Sequence, residues 1–357
     1  MEMRKKFDEI FEDCTKLGTK IKTDEYHSNG KHPIIDQGQE MVAGFTDLED
    51  GLLDAVPAIV FGDHTRIIKY VDCPFFLGAD GVKVLRSKVP NANYRYLYYA
   101  LKNAKIPNTG YNRHYKWLKE LEIEYPPIDQ QVKTVKVLDK VESIIYNRQN
   151  QLQKLDELVK ARFVELFGNP VINNKGWNVS DLGQLTIKIG SGATPKGGKE
   201  AYQTDGISLI RSMNVHNGKF EYKELAHISD EQAARLENVA VEKNDVLLNI
   251  TGASVARSCV VPTNVLPARV NQHVCIIRCK DSIMPDFINS LLIDDNYQDL
   301  LWSIAGSGAT REAITKQQVE SLQIILPPIS KQEEFSKFIN RVDKSKAVEG
   351  LYSSLCL

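Results

Sequence analysis

No run in this 357-residue chain approaches the roughly 18 consecutive apolar residues that a membrane-spanning helix needs. The opening MEMRKKFDEIF is basic but lacks the apolar core of a secretory signal. These two absences lead to the expectation of a cytoplasmic protein with no membrane partner. Cysteine is sparse: six residues, scattered singly without a CxxC pair, two of which (Cys275 and Cys279) fall on one face of an alternating segment. They read as reduced structural thiols, and no metal site is expected. An excess of either charge is also missing, since 45 Lys and Arg meet 46 Asp and Glu for a formal net charge of -1. Charge alone therefore does not suggest a nucleic-acid partner, although phosphate contacts depend on local placement of cations and a neutral total leaves room for a basic groove. Neither a Walker loop nor a D...ExK nuclease pattern in a convincing context is found, and the GSGAT segments lack the spacing of a dinucleotide fingerprint. What remains, at 42% hydrophobic and 25% charged residues, is an ordinary globular composition with length for two or more domains.

The chain contains an internal repeat. LKELEIEYPPIDQQ, from Leu118, returns from Val319 as VESLQIILPPISKQ, each copy a short alternating strand, a Pro-Pro stop and a helix start. Asp129 and Ser330 occupy the same place in the two copies and are expected to be N-caps, with Glu333 completing a capping box on Ser330. After the first copy, Leu138, Val141, Ile145, Leu152, Leu155, Val159 and Leu166 follow the three-and-four spacing of a heptad seam, broken only by Arg148 and Arg162. No Gly or Pro interrupts before Gly168, so the pattern predicts a helix from about Gln130 to Phe167, on the order of 55 Å long. Such a seam needs a partner. Phe335, Phe338, Ile339 and Val342 open a similar stripe after the second copy, which then degrades, so the second helix is expected to be shorter or frayed.

Before each helix lies a segment of domain size made of short apolar runs separated by turn residues: AIVFG from Ala58, VKVL from Val82, VLLNI from Val246 and VCII from Val274, with a helix expected over Tyr94 to Asn103. The expected class is α+β, two mixed modules each built on a curled sheet with peripheral helices. The boundaries are 1–125 for the first module, 126–170 for its helix, 171–326 for the second module and 327–357 for the C-terminal helix. The loops carry the functional interest. GSGAT occurs from Gly190 and again from Gly306, each followed by cations, and NTGYNRHYK from Asn108 mixes Arg, His and Lys with Tyr. Such loops expose backbone N–H groups to phosphates or are ordinary solvated turns, and their composition leaves both readings open.

An ordered set of segments resembles the specificity (S) subunits of Type I restriction-modification enzymes over nearly the whole chain. It comprises GSGATP with Tyr202, GISLIRSMNVHNGKF from Gly206, NDVLLNITGAS from Asn244 and SGATREAITKQQVESLQIILPPISKQ from Ser307 in the second module. In the first it comprises HPIIDQGQEMVAGF from His32 and AIVFGDHTRIIKYVDCPFFLGADGVKVL from Ala58. The resemblance implies two target-recognition domains that each read half of a split double-stranded DNA site. It also implies two antiparallel helices that pair as a coiled coil, space the domains and dock two methyltransferase subunits, with restriction subunits added. S-adenosylmethionine, ATP and Mg would then be used by those partners, with no cofactor on this chain.

By position within the resembling segments, the DNA-contacting candidates in the first module are Gln37, Gln39, His64, Thr65, Arg66, Asn112, Arg113, His114 and Lys116. In the second they are Lys196, Arg211, Asn214, His216, Thr251, Arg257, Asn271, Gln272, His273, Thr310 and Arg311. The residue types suit the task, since Arg pairs with guanine, Asn and Gln with adenine, and Lys or Thr with phosphates. No catalytic residue is expected. An autonomous adenine methyltransferase needs Asn or Asp before Pro-Pro and an aromatic after it, whereas Tyr125 and Leu326 precede and Ile128 and Ile329 follow here. The rival reading is a helical scaffold or adaptor with two protein- or glycan-binding modules, which repeat and seam alone also allow.

Overall fold

The computed structural model describes residues 4–78, 80–110, 112–195, 197–306 and 312–354, with the backbone alone at 199, 201 and 347–354. The chain divides into two compact units, Met1–Tyr146 and Asn147–Leu357. The first contains, in chain order, β1 (Arg4–Lys6), α1 (Phe7–Ile10), β2 (Phe11–Asp13), β3 (His32–Ile35), β4 (Gly44–Thr46), β5 (Ala58–Gly62), β6 (Ile68–Val71), β7 (Phe76–Leu77), β8 (Val82–Ser87), α2 (Tyr94–Lys102), α3 (Tyr115–Lys119) and β9 (Glu122–Glu124), and then α4 (Ile128–Phe167) begins. The second holds β10 (Asn178–Asp181), β11 (Thr186–Ser191), β12 (Ile207–Ile210), the hairpin β13 and β14 (Val215–His216, Lys219–Phe220), β15 (Ala226–Ile228), α5 (Asp230–Ala234), β16 (Ala240–Val241), β17 (Val246–Asn249), β18 (Ser258–Val260), β19 (Ala268–Val270) and β20 (Val274–Cys279). It ends with α6 (Pro285–Leu292), α7 (Asp295–Gly306), α8 (Lys316–Glu320), β21 (Gln323–Leu326) and α9 (Ile329–Ser354).

The repeat runs deeper than the junction that revealed it. In the first unit β1 pairs antiparallel with β9, Lys5 opposite Ile123; in the second β10 pairs antiparallel with β21, Ser180 opposite Ile324. A four-stranded antiparallel sheet follows in each, ordered β2-β8-β5-β6 and β11-β20-β17-β18. Each unit also has a second sheet built on one parallel pair, β3 with β7 and β12 with β19. The single curled sheet expected for each module is thus two larger sheets beside the short strand pairs. The reason is legible in β5, AIVFG, which is buried along its whole length. Its alternate side chains enter different cores: Ile59 and Phe61 join Phe7, Leu85 and Leu97, whereas Ala58 and Val60 join Ile35, Leu77 and Val84. β17 repeats the division, Val246 and Leu248 on one side and Leu247 on the other. A strand covered on both faces needs apolar residues throughout, which explains why these runs do not alternate with polar ones.

The helix starts differ from expectation. α4 and α9 begin at Ile128 and Ile329, one residue before Asp129 and Ser330, because the carbonyls of Pro127 and Pro328 accept the first helical N–H bonds. Proline fixes the backbone there, and a side chain deeper in the repeat ties the helix back to the strand end before it. Gln131 and Gln332 are both buried and donate, at 2.8 Å each, to the carbonyls of Pro126 and Pro327.

The two stretches of seam are packed by different chemistry. In the second unit, Phe163 and Phe167 of α4 meet Phe287 of α6 and Phe335 of α9 with ring centroids 4.8 to 5.8 Å apart. Arg162 reaches Glu334 and Asp156 reaches Lys346, so α9 ascends as α4 descends and the pair is antiparallel. Val159, Leu166, Phe335, Ile339 and Val342 line or flank this contact as expected, and α9 with 26 residues is shorter than α4 with 40. Leu152 and Leu155 are half-buried. In the first unit, Leu138 is half-buried against the core, Val141 is half-buried, and Ile145 leaves the seam: it is 38% exposed beside the exposed Ile144 and Tyr146.

What binds α2 to α4 there is polar. The Arg95 guanidinium lies 4.9, 5.2 and 5.0 Å from the rings of Tyr70, Tyr98 and Tyr99 and donates to Asp139 and Glu142. The Tyr99 hydroxyl is 2.7 Å from Asp139 and 2.9 Å from Glu142, and Lys102 is 2.6 Å from Glu142. Burial raises the carboxyl values of Asp139 and Glu142. Hydrogen bonds from Arg95 and Tyr99 to the first, and from Lys102 and Tyr99 to the second, outweigh it and hold both below the ordinary carboxylate range. Folded values below the unfolded ones mean that the unfolded chain takes up protons first. The stabilisation is therefore complete at neutral pH and is lost as pH falls through the two lowered values. Accordingly, the urea midpoint of the first unit drops on acidification below about pH 4 to 5, and the Asp139→Asn, Glu142→Gln double variant has a lower midpoint at pH 7 with a flatter acid limb. An unchanged acid limb in that variant would assign the effect to other carboxylates.

Candidate nucleic-acid interface

In the second unit a shallow groove opens where the ends of four strands converge. It is lined by Ser212 after β12, Thr251 and Ser254 after β17, Arg257 before β18, His273 before β20, and Glu312 ahead of α8. The turn after β17 is tight: Gly252 has φ +71°, a conformation that favours glycine, and its N–H donates to the Glu312 carbonyl at 2.8 Å. Ile314 returns the contact by donating to the Ile250 carbonyl at 2.8 Å, so Thr251 and Ala313 form a short antiparallel bridge. Beneath the groove the fully buried Asn249 donates to the Ser212 carbonyl at 2.8 Å and ties two of these loops together.

A chain of polar contacts runs along one wall. Thr194 meets Gln272, whose amide lies 3.1 Å from His273 Nε2. His273 Nδ1 in turn faces Thr251 Oγ1 at 2.5 Å, so the tautomer of the imidazole sets which of the two donates. The groove presents hydroxyls, one guanidinium and one carboxylate, and it is not strongly basic in its lining residues.

Of the candidates read from sequence, the structure gathers Thr251, Arg257 and His273 in this groove, with Gln272 exposed at its wall. It withdraws others. Asn214 is buried and bonds to the N–H of Arg211 and the carbonyl of Glu221, and Asn271 is nearly buried and accepts from the His273 N–H. Arg211 lies over the Tyr202 ring at 5.3 Å and donates to the Glu224 carbonyl; His216 is half-buried in the β13–β14 hairpin. Lys196, Thr310 and Arg311 lie outside the described residues. Ser212, Ser254 and Glu312 were missed. Ser254 closes the segment NDVLLNITGAS and Glu312 follows Arg311, but a carboxylate is discounted when phosphates are sought.

The first unit has the corresponding strand ends with different side chains. Gln37 is a brace rather than a reader: Nε2 donates to the Asp80 carbonyl at 3.0 Å, Oε1 accepts from the His64 N–H at 3.2 Å, and its carbonyl accepts from Thr65 at 2.7 Å. His114 is fully buried, with Nδ1 2.9 Å from the Asp63 carbonyl and Nε2 accepting from the Thr109 N–H at 3.4 Å, so it anchors the 108–114 loop and does not face solvent. Arg66 adopts φ +63° and donates to the Ile106 carbonyl at 3.3 Å. Gln39, Thr65, Asn112, Arg113 and Lys116 are exposed, the last with its ammonium 4.8 Å from the Trp117 ring.

Burial pushes the thiols of Cys259, Cys275 and Cys279 up to about 12, which keeps them protonated and unreactive at neutral pH. Among the described residues no group of three His, Cys, Asp or Glu could hold a metal, and no helix is long and apolar enough to cross a membrane.

The chain matches the family model described as the Type I restriction modification DNA specificity domain twice, over residues 3–157 and 174–351. It is 20% identical over 350 residues to the Type I restriction enzyme EcoR124I/EcoR124II specificity subunit of Escherichia coli, covering 93% of this chain and 84% of that one. It is 22% identical over 239 residues to the putative type I restriction enzyme MjaX specificity subunit of Methanocaldococcus jannaschii, covering 61% of this chain and 51% of the relative. Among solved structures, the Type I restriction-modification S subunit from M. genitalium superposes with a TM-score of 0.60 at 15% identity, over 99% of this chain and 92% of that one. A chain from a structure of type I R-M system assembly does so with a TM-score of 0.51, also at 15% identity, over 99% and 94%.

Proposed function

This chain belongs to the Type I restriction modification DNA specificity family, and we propose from that membership that it is the non-catalytic subunit that reads a split, asymmetric DNA site. The observation that carries the reading is the double match, one copy to each half of the chain. Two target-recognition domains, 1–125 and 171–326, each read a half-site; the helical regions 126–170 and 327–357 space them and dock two methyltransferase subunits, to which restriction subunits add. S-adenosylmethionine, ATP and Mg act in those partners, in the cytoplasm. Different side chains at corresponding strand ends, His64 against Thr251, support different half-sites. The adaptor reading has no observation of its own in its favour.

Co-expression with the cognate methyltransferase, followed by sequencing of modified adenines, tests this. One split motif is expected; soluble, assembled proteins with no new methylation would overturn the reading. Within it, Arg113→Ala relaxes one position of one half-site and Arg257→Ala one position of the other, each by about 1 to 3 kcal/mol. Equal weakening on all sequences would make either residue a phosphate contact.

A further inference from the structure

Glu312 is out of place in a surface meant for DNA. Its side chain is exposed and lines the groove with Ser212, Thr251, Ser254, Arg257 and His273, and it forms no ion pair with Arg257 among the described residues. Its backbone is held on both sides of the bridge to Thr251, by the Gly252 N–H to its own carbonyl and by the Ile314 N–H to Ile250. A carboxylate in such a fixed place repels phosphates and weakens backbone binding. On a base edge it has one use: as an acceptor for an exocyclic amine.

We propose that Glu312 determines base preference in the half-site read by the second unit, accepting a hydrogen bond from the exocyclic amine of adenine or cytosine in the major groove while the Thr251 hydroxyl donates to an acceptor on the same base pair. The inference rests on the DNA-reading function above. Thr251 lines the same groove, positioned by the contact of its hydroxyl with His273 Nδ1 at 2.5 Å, and a hydroxyl can donate to a base edge, so the groove sets a donor group beside an acceptor. That pair matches adenine, with N7 accepting and N6 donating, and equally a cytosine–guanine pair, with C N4 donating and G O6 accepting. It does not match two adjacent acceptors on guanine.

The test uses the full chain assembled with its methyltransferase subunit and selection from randomised DNA. The wild type is expected to select a split motif with adenine or cytosine at a position in the half-site that Arg257→Ala alters. Glu312→Ala should cut the preference at that position roughly tenfold and leave the other half-site intact. Binding to unrelated DNA should rise, because a negative charge has been removed. Glu312→Gln retains a carbonyl acceptor for the exocyclic amine of either base and should retain the preference; its loss in this variant would overturn the acceptor role. Because the exposed side chain pairs with no other among the described residues, the variants should melt with the wild type. If Glu312→Ala weakens all sequences alike, or leaves the motif unchanged at every position while the wild type reads a split site, the inference falls and the function stands. A wild-type complex that selects no motif removes both.

Discussion

Phe335→Ala lowers the stability of the second unit by about 3 to 5 kcal/mol, the range for truncating a buried aromatic whose cavity cannot collapse. Collapse is blocked because Phe335 is fully buried where three elements meet, with the rings of Phe163 and Phe167 5.6 and 5.4 Å away and Phe287 edge-on to Phe167. Urea unfolding followed by the emission of Trp177 is a suitable measurement, since its indole donates to the Phe167 carbonyl at 2.9 Å and reports on this core. Phe335→Leu retains most of the volume and should cost under about half as much. A loss below about 1 kcal/mol for the alanine variant would mean that the cluster does not hold α4 to α9.

Gln332→Ala has the second large effect, and its counterpart in the other copy provides the control. Gln332 donates to the Pro327 carbonyl at 2.8 Å and accepts from the Met284 N–H at 2.9 Å, the latter at the start of α6. Removing the side chain strands both groups in the interior, at about 1 to 3 kcal/mol each, so the loss is about 2 to 5 kcal/mol. Gln131 makes only the first of these bonds, and its Oε1 has no partner among the described residues. Gln131→Ala therefore costs about 1 to 3 kcal/mol. Equal losses would show that the Met284 contact contributes nothing to stability, and a larger loss at Gln131 would contradict the bonding pattern outright.

The comparison of those two glutamines shows what could be read in advance. The repeated IDQQ and ISKQ segments were visible, and so were the strand, the Pro-Pro stop and the helix, because short-range pattern encodes them. Which side chain secures the junction was not visible. Asp129 and Ser330 have capping side chains, but the prolines start the helices one residue earlier, and the buried glutamines donate to the carbonyls just before the helix. The strand runs 58–62 and 246–249 were also legible, being covered on both faces, yet their division between two cores depends on pairing distant in sequence, such as Ile59 with Leu85. For the interface, polarity in a loop does not separate side chains that face solvent from those bonded within the fold. His114, Asn214 and Gln37 have the chemistry of base readers, but their polar atoms satisfy backbone groups within the fold. Ile145 fits the heptad by spacing and is exposed because spacing does not say where the covering element stops.

The pairing of β1 with β9, and of β10 with β21, sets the chain entering each reading unit beside the chain leaving it. A segment whose two ends meet in this way can be exchanged as a cassette: everything between Lys6 and Glu122, or between Asp181 and Gln323, can be rewritten while the same pair of strands delivers the chain to the same helix start. The length and sequence of the intervening chain are thereby uncoupled from the place where the helix begins.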